Sequence, residues 1–267
     1  MTTNADNPLV AVDVGNTRIK LGLFAGHDDG PLPTPLRTLD VPSLTGDLNS
    51  IGPWLDDLAV SDVSWWIGSV NRPAMTRLLE WLRNRPHAPS TTLLAAGDLP
   101  LRVALPQPDM VGIDRLLNAV GANALRVAQT GAVVVDVGTA ITVDRVSIEG
   151  TFEGGAILPG IGLSARALHE FTDLLPLLGM AELEEPPPPL GTETLAALRS
   201  GLFWGAVGGV RELIDRLGRQ QPRPPQIFLT GGAAPSVAGL LAASAVYSSH
   251  LTLGGIVLAA MGKDRLG

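Results

Sequence analysis

Short apolar runs separated by glycine-containing turns set the pattern of this chain, and the same arrangement occurs twice. Alternating and β-branched residues predict strands over residues 9–14 and 18–25, and the pattern returns over 132–137 and 141–147. The same criteria place further strands at 35–41, 63–70, 91–94, 101–105, 151–158 and 226–230. Each half of the chain therefore begins with a strand, a tight turn and a second strand.

Helices are predicted between and after these strands. Asn71 is a suitable N-cap for a helix that has Pro73 in its first turn and ends near Asn84. Residues 44–58 are a weak helix candidate, because the Gly52-Pro53 pair interrupts the pattern. Apolar residues at helical spacing predict further helices over 113–128, 163–171 and 194–217, and others follow residue 230.

One short motif follows the first strand of each half. Asp13-Val-Gly-Asn-Thr17 comes first, and Asp136-Val-Gly-Thr-Ala140 follows about half a chain later. Glycine lets the backbone approach an oxyanion, successive N–H groups can point into the bend, and Thr or Asn adds a donor. The aspartate repels phosphate but can hold a cation that touches it. One copy is also typical of an ordinary hairpin turn, whereas two copies at this spacing favour phosphate binding.

The repeated motif also predicts the domain organisation. It indicates an α/β protein built from two related ribonuclease H-like halves, residues 1–129 and 130–267, with a nucleotide cleft between them. This is the arrangement of the actin-like, Hsp70-like and sugar-kinase-like ATPases.

Composition excludes several classes of protein. Of the 267 residues, 45% are hydrophobic and 17% charged, so a large core is available and disorder is not expected. The net charge of −7 and the absence of a Lys/Arg run argue against a nucleic-acid surface.

With no cysteine and no apolar leader before Pro8, we expect a cytoplasmic protein without disulfides. Residues 224–262 carry no charged side chain, but glycines and Pro235 interrupt them too often for a membrane span.

Three further segments carry candidate chemistry, and each has a structural alternative. The segment Gly112-Ile-Asp-Arg115 opens a helix; Asp114 could accept a substrate proton or could complement the helix dipole. The pair Gly231-Gly232 ends an apolar strand and could admit a flat adenosine or could form a tight turn. The glycine-rich segment 152–160 could be a ligand wall or a bulged strand. The four histidines show no metal-ligand spacing.

Taken in order, these motifs resemble the type III pantothenate kinases, and the resemblance covers nearly the whole chain. The two phosphate motifs, the Gly-x-Asp-Arg motif, and the segments around Gly155, Thr194 and Gly231 occur in the family's order. The family belongs to the acetate and sugar kinase, Hsp70 and actin superfamily. The resemblance implies ATP-dependent phosphorylation of pantothenate, the first step of coenzyme A synthesis.

The resemblance also implies roles for individual residues. Asp114 would be the catalytic base, and Asp136 would bind a monovalent cation, K⁺ or NH₄⁺. Contacts to ATP and its Mg²⁺ would come from Asp13, Val14, Gly15, Asn16, Thr17, Arg18, Ile19, Lys20, Thr139, Gly231 and Gly232. Contacts to pantothenate would come from Gly112, Ile113, Asp114, Arg115, Gly155 and Thr194.

The family acts as a homodimer, and the same is expected here. The predicted interface is the long helix from Thr194, whose small residues Gly201, Gly205 and Gly208-Gly209 would let a second backbone approach. Phe203 and Trp204 are expected to add apolar area to that interface. The structural alternative is that this helix packs inside its own subunit.

Three positions depart from the family pattern, and two other functions stay open. Ile113 replaces a common alanine and is expected to face the core. Leu105 stands where many members carry a tyrosine that contacts pantothenate, and Ile141 stands where many carry threonine. The alternatives are a non-catalytic accessory factor of transcription on the same scaffold and an ATPase that acts on another substrate. Intact Asp114 and Asp136 argue against the accessory factor.

Overall fold

The computed structural model describes residues 8–25, 30–55, 63–85, 88–179, 185–242 and 244–264. The strands are β1 (Leu9–Val14), β2 (Arg18–Phe24), β3 (Arg37–Pro42), β4 (Ser64–Ser69), β5 (Thr91–Leu93), β6 (Ala132–Val137), β7 (Ala140–Val146), β8 (Phe152–Pro159), β9 (Gln226–Thr230) and β10 (Val246–Tyr247). The helices are α1 (Ile51–Trp54), α2 (Arg72–Arg83), α3 (Ile113–Leu125), α4 (Ile161–Glu170), α5 (Thr194–Arg219), α6 (Ala234–Leu241) and α7 (Leu251–Asp264). Short 3₁₀ turns lie at Leu48–Ser50, Ala96–Asp98 and Pro108–Met110.

The chain divides into two compact units. The first consists of residues 1–125 with 250–267, and the second of residues 126–249. The sequence predicts a boundary after residue 129, with the whole C-terminus in the second half. The structure instead packs α7 into the first unit, where Thr252 donates its hydroxyl hydrogen bond to Asn118 of α3 at 2.7 Å.

The first unit is built on a five-stranded mixed sheet with the order β3-β2-β1-β4-β5. Strands β1, β2 and β3 pair antiparallel, whereas β4 and β5 extend the sheet in parallel from β1. Its core includes Val12, Ile67 and Trp65, which are at most 1% exposed. Apolar residues from α1 and α2 cover one face of this sheet.

The second unit repeats this topology. Its sheet has the order β10-β9-β6-β7-β8, with β6, β7 and β8 antiparallel and β9 and β10 parallel to β6. Strand β6 therefore corresponds to β1, and β9 corresponds to β4. The predicted α/β architecture of two related halves is confirmed by this shared strand order.

Most predicted elements are confirmed, and one strand is wrong. Residues 101–105 form only an isolated bridge at Val103, because the chain turns at once into the 3₁₀ segment that begins at Pro108. The weak helix candidate at 44–58 is a 3₁₀ turn followed by the single turn α1, and its residues 56–58 lie outside the described residues. None of the helices in the described parts of the chain is both long and apolar enough to cross a membrane.

Candidate active site

The first phosphate motif forms the turn between β1 and β2. The three residues Gly15–Thr17 connect the strands, and the Gly15 N–H donates to the Arg18 carbonyl at 3.0 Å. A Cβ atom on Gly15 would lie 3.1 Å from that carbonyl oxygen, so a larger residue would require a small shift of the turn. Asn16 and Thr17 are exposed at the tip, where an approaching anion would meet them first.

Charged side chains of alternating sign lie in a row beside this turn. Asp13 faces Lys20 on the neighbouring strand, and Lys20 faces Asp40 on the next, so the three side chains share one side of the sheet. Arg18 pairs with Asp40 at 3.4 Å. Partial burial lowers the pKa of nearby His250, and the charge of Lys20 lowers it further while Asp40 opposes the change. The neutral form of His250 is thereby favoured beside Lys20.

The second phosphate motif forms a shorter turn between β6 and β7. Two residues, Gly138 and Thr139, connect the strands, and the Gly138 N–H donates to the Ala140 carbonyl at 3.0 Å. Asp136 is partly buried near the end of β6, opposite Thr142 of β7 and Thr230 of β9. The two turns are therefore related in position but differ in length by one residue.

Two glycines pack directly against this second turn. Gly160 donates its N–H to the Thr139 carbonyl at 3.0 Å, and a Cβ atom on Gly160 would lie 2.3 Å from the Gly138 carbonyl oxygen. Gly231 has a φ of 97°, and a Cβ atom there would lie 2.5 Å from Asp136 Oδ1. Glycine at 231 is thus required by the fold. Gly232 is exposed and has open space around it, so its backbone is accessible from solvent.

The Gly-x-Asp-Arg motif lies at the same sheet edge as the first turn. Strand β4 runs parallel to β1, and the Val70 N–H that follows it donates to the Val14 carbonyl at 3.1 Å. A Cβ atom on Gly112 would lie 3.6 Å from Val70 Cγ1, which brings the start of α3 beside this edge. Asp114 occupies the first turn of α3 and accepts the Arg115 N–H at 2.8 Å. The helix dipole stabilises the ionised carboxylate there.

The remaining predicted contacts, Gly155 and Thr194, lie in the second unit. A Cβ atom on Gly155 would lie 2.1 Å from the Val143 carbonyl oxygen, so close strand approach accounts for this glycine. Thr194 begins α5 and is exposed. It borders an apolar groove of about 480 Å³, which is otherwise lined by Leu168, Leu175, Ala197, Leu198, Gly201 and Leu202.

The side chains near the turns fit Mg²⁺ that is bound together with a nucleotide better than a metal ion that is bound by protein side chains alone. Among the described residues no group of three or more His, Cys, Asp or Glu side chains could hold a metal ion. Kinase sites bind Mg²⁺ through one or two carboxylates together with substrate phosphates and waters. Asp13, which lies near the end of β1 and two residues before Gly15, would be one such carboxylate.

Comparison with known proteins decides the family. Residues 9–216 match the family model described as type III pantothenate kinase. The chain belongs to this family. A type III pantothenate kinase of Desulfosudis oleivorans is 35% identical over 254 residues, which cover 93% of this chain and 96% of that protein. One from Paramagnetospirillum magneticum is 34% identical over 257 residues, with 93% and 95% covered.

Solved structures support the fold. A putative 2-dehydro-3-deoxygalactonokinase from Sinorhizobium meliloti superposes with a TM-score of 0.60 at 16% identity, covering 96% of this chain and 99% of that chain. The activator of the 2-hydroxyisocaproyl-CoA dehydratase from Clostridium difficile, with bound ADPNP, gives a TM-score of 0.53 at 13% identity, with 97% and 96% covered. Both likenesses agree with the predicted fold class, that of the actin-like ATPases and sugar kinases.

The predicted site residues of the first unit lie together, whereas those of the second unit fall into separate groups. The first unit brings the turn from Asp13 to Lys20 to the same sheet edge as Gly112–Arg115. The second unit places Asp136, Thr139 and the Gly231-Gly232 pair around one turn, whereas Thr194 lies at the apolar groove. Sequence analysis missed Ser43, which contacts the first turn from a distant loop. No motif marks a single serine after a strand, so the sequence held no signal for it.

Proposed function

We propose that this chain transfers the γ-phosphoryl group of ATP to the terminal hydroxyl of pantothenate, giving 4′-phosphopantothenate. The observation that carries the proposal is the position of Asp114, which the first unit places at the same sheet edge as a glycine turn suited to phosphates. The match to the family over residues 9–216 supports the choice of substrate.

In this reaction the protein positions the substrate hydroxyl and neutralises the charge on the phosphate groups. Asp114 accepts the proton of the substrate hydroxyl as the hydroxyl oxygen forms its bond to the γ-phosphorus and the bond to the β,γ-bridging oxygen breaks. Backbone N–H groups and the Asn16 and Thr17 side chains of the first turn hold phosphate oxygens, and Lys20 adds a positive charge. Arg115 and Gly112 orient the substrate beside Asp114. Asp13 would hold Mg²⁺, which would neutralise charge on the phosphate oxygens.

Residues of the second unit complete the proposed roles. Thr139 and the backbone at Gly232 contact ATP, and Asp136 holds K⁺ or NH₄⁺. The cation is supported by the placement of Asp136, a partly buried carboxylate at a strand end beside a phosphate turn.

An assay of ADP release with and without pantothenate tests the proposed function. Release that depends on pantothenate identifies a pantothenate kinase. Release that is equal without pantothenate identifies an ATPase with another substrate, and no release under either condition identifies a non-catalytic factor. The last two results would each overturn the proposal.

We further propose a homodimer that uses the exposed face of α5. Gly201, Gly205 and Gly208 are exposed on this helix, and a Cβ atom on any of them would meet nothing within 4 Å. Apolar side chains are also exposed on Leu195 of α5, on Leu163 and Leu168 of α4, and on Phe171, Leu174 and Leu177 of the segment that follows α4. The expected contribution of Phe203 is wrong, because Phe203 is 0% exposed in the core of its own unit. Trp204 is partly buried and donates to the Pro187 carbonyl at 3.0 Å.

The homodimer predicts a selective effect of Gly205→Glu. The new side chain has room in the monomer but would place a charge in the subunit contact, so we expect light scattering to change from a dimer to a monomer of 27.8 kDa. Because Thr194 lies on the same helix, the KM for pantothenate should rise as well.

The matched control for this prediction is Gly239→Glu. Gly239 is an exposed glycine of α6 with equally open surroundings, and its substitution should leave the dimer intact. A wild-type protein that is monomeric and fully active would refute both the interface and its role in pantothenate binding.

A further inference from the structure

The carbonyl side of the first phosphate turn is held by a residue from another loop. Ser43 follows β3 and is 1% exposed. Its hydroxyl donates to the Gly15 carbonyl at 2.7 Å, and its N–H donates to the Thr17 carbonyl at 3.0 Å. One buried residue therefore binds two carbonyls of a turn that lies more than twenty residues earlier in the chain.

Asn71 contacts the same side of the turn from a third element. Its Nδ2 lies 3.4 Å from the Gly15 oxygen and 3.5 Å from the Asn16 oxygen. Its Oδ1 accepts the Ala74 N–H at 3.1 Å and so caps α2. The cap fixes the Asn71 side chain, and through it the turn is connected to the helix.

Arg77 of α2 in turn fixes the loop that carries Ser43. Its guanidinium donates to the carbonyl oxygens of Gly46 at 2.7 Å, Ser43 at 3.1 Å and Pro42 at 3.3 Å. Three hydrogen bonds donated by this rigid planar group hold the loop to the helix. The position of the Ser43 hydroxyl is thus set before any ligand binds.

Peptide geometry connects these carbonyl contacts to phosphate binding. A carbonyl and the N–H of the next residue lie in one plane and point in opposite directions. The bond from Ser43 to the Gly15 oxygen therefore fixes the direction of the Asn16 N–H. In the same way, the contact from Asn71 to the Asn16 oxygen fixes the direction of the Thr17 N–H. The carbonyls are directed into the protein, and the N–H groups toward the exposed tip.

We propose that Ser43 is a positioning residue for nucleotide binding, which orients the N–H groups of the first turn toward the phosphates of ATP. This inference rests on the proposed function, according to which the ligand of the turn is a nucleoside triphosphate. Ser43 contacts the turn from its buried side, and its effect on the nucleotide is exerted through Gly15 and Thr17.

The test compares the affinity for MgATP of the full chain and three variants by calorimetry. Ser43→Ala removes only the hydroxyl, and loss of a hydrogen bond of ordinary net strength predicts a Kd about 3- to 10-fold higher. Ser43→Thr keeps the hydroxyl and should restore the wild-type Kd. The matched control is Ser50→Ala, which removes an exposed hydroxyl that donates to the Asp47 carbonyl at 2.7 Å and should leave the Kd unchanged.

A kinetic readout separates positioning from general loss of structure. We expect Ser43→Ala to raise the KM for ATP and to leave the KM for pantothenate at its wild-type value, with unfolding still cooperative. Binding of MgATP by Ser43→Ala with the wild-type Kd would overturn the proposal. So would equal weakening in Ser50→Ala, or a folded Ser43→Thr variant that binds as weakly as Ser43→Ala.

The same measurements distinguish failure of this inference from failure of the proposed function. A wild-type chain that binds MgATP without phosphorylating pantothenate would refute the function, while the ratio of Kd values would still decide the role of Ser43. A wild-type chain that binds no nucleotide would refute both.

Discussion

We expect replacement of Asp114 by Asn to lower pantothenate-dependent turnover by about 10²–10⁴-fold, the usual effect of losing a general base. Asparagine has nearly the same shape, and its carbonyl oxygen can still accept the Arg115 N–H that Asp114 accepts at 2.8 Å. It cannot take up the proton of the substrate hydroxyl. The start of α3 should therefore fold normally, and the affinity for MgATP should stay close to that of the wild type. Steady-state kinetics and calorimetry measure the two quantities.

Asp109→Asn is the matched control for this variant. Asp109 is an exposed acid in the 3₁₀ turn that precedes α3, five residues from Asp114 in the same segment. Its substitution should leave turnover unchanged. Wild-type turnover in a folded Asp114→Asn variant, or an equal loss in the control, would remove Asp114 from the catalytic step.

Replacing Asp136 by Ala abolishes the activation by K⁺ or NH₄⁺ that we expect of the wild type. A unit charge about 4 Å from a phosphate oxygen contributes about 4 kcal/mol at an effective dielectric constant of 20, which is an upper limit of about 10³-fold in rate. Solvent competes for both groups, so a loss between about 10-fold and 10³-fold is expected. Initial rates in potassium, ammonium and choline buffers, at equal ionic strength, measure the effect.

Glu149→Ala serves as the control for the cation experiment. Glu149 is an exposed carboxylate in the turn at the far end of β7, so its loss should leave the response to K⁺ intact. Equal wild-type rates in choline and potassium buffers would show that K⁺ does not activate the reaction.

The duplicated fold could be predicted because its signals are local. The Asp-Val-Gly turns and the β-branched runs beside them specify strand pairs without help from distant residues, and the paired registers of β1 with β2 and β6 with β7 confirm them. The strand expected at 101–105 was wrong because its apolar pattern is also compatible with an extended segment that has no partner strand.

The contacts that join distant segments could not be predicted. Helix α7 is buried on nearly every side, so its sequence gives no apolar face that would assign it to one unit or the other. The position of Phe203 could not be predicted either, because an apolar residue on a long helix can face the core of its own subunit or a partner subunit. Ser43 reaches Gly15 only through the fold, across a separation that no local pattern encodes.

The sequence predicts ligand contacts at several glycines, and for two of them the structure gives a steric reason for the glycine. Gly231 is required by its positive φ and by the approach of Asp136, whereas Gly155 is required by the Val143 carbonyl. Sequence alone could not separate these steric requirements from a requirement for ligand contact.

Identification of the phosphorylated product tests the central claim most directly. The chain is incubated with ATP, Mg²⁺, K⁺ and pantothenate, and the products are analysed by mass spectrometry and phosphorus NMR. The account predicts 4′-phosphopantothenate and ADP in equal amounts, with neither formed by Asp114→Asn at a comparable rate. Release of ADP with inorganic phosphate and unmodified pantothenate would contradict it.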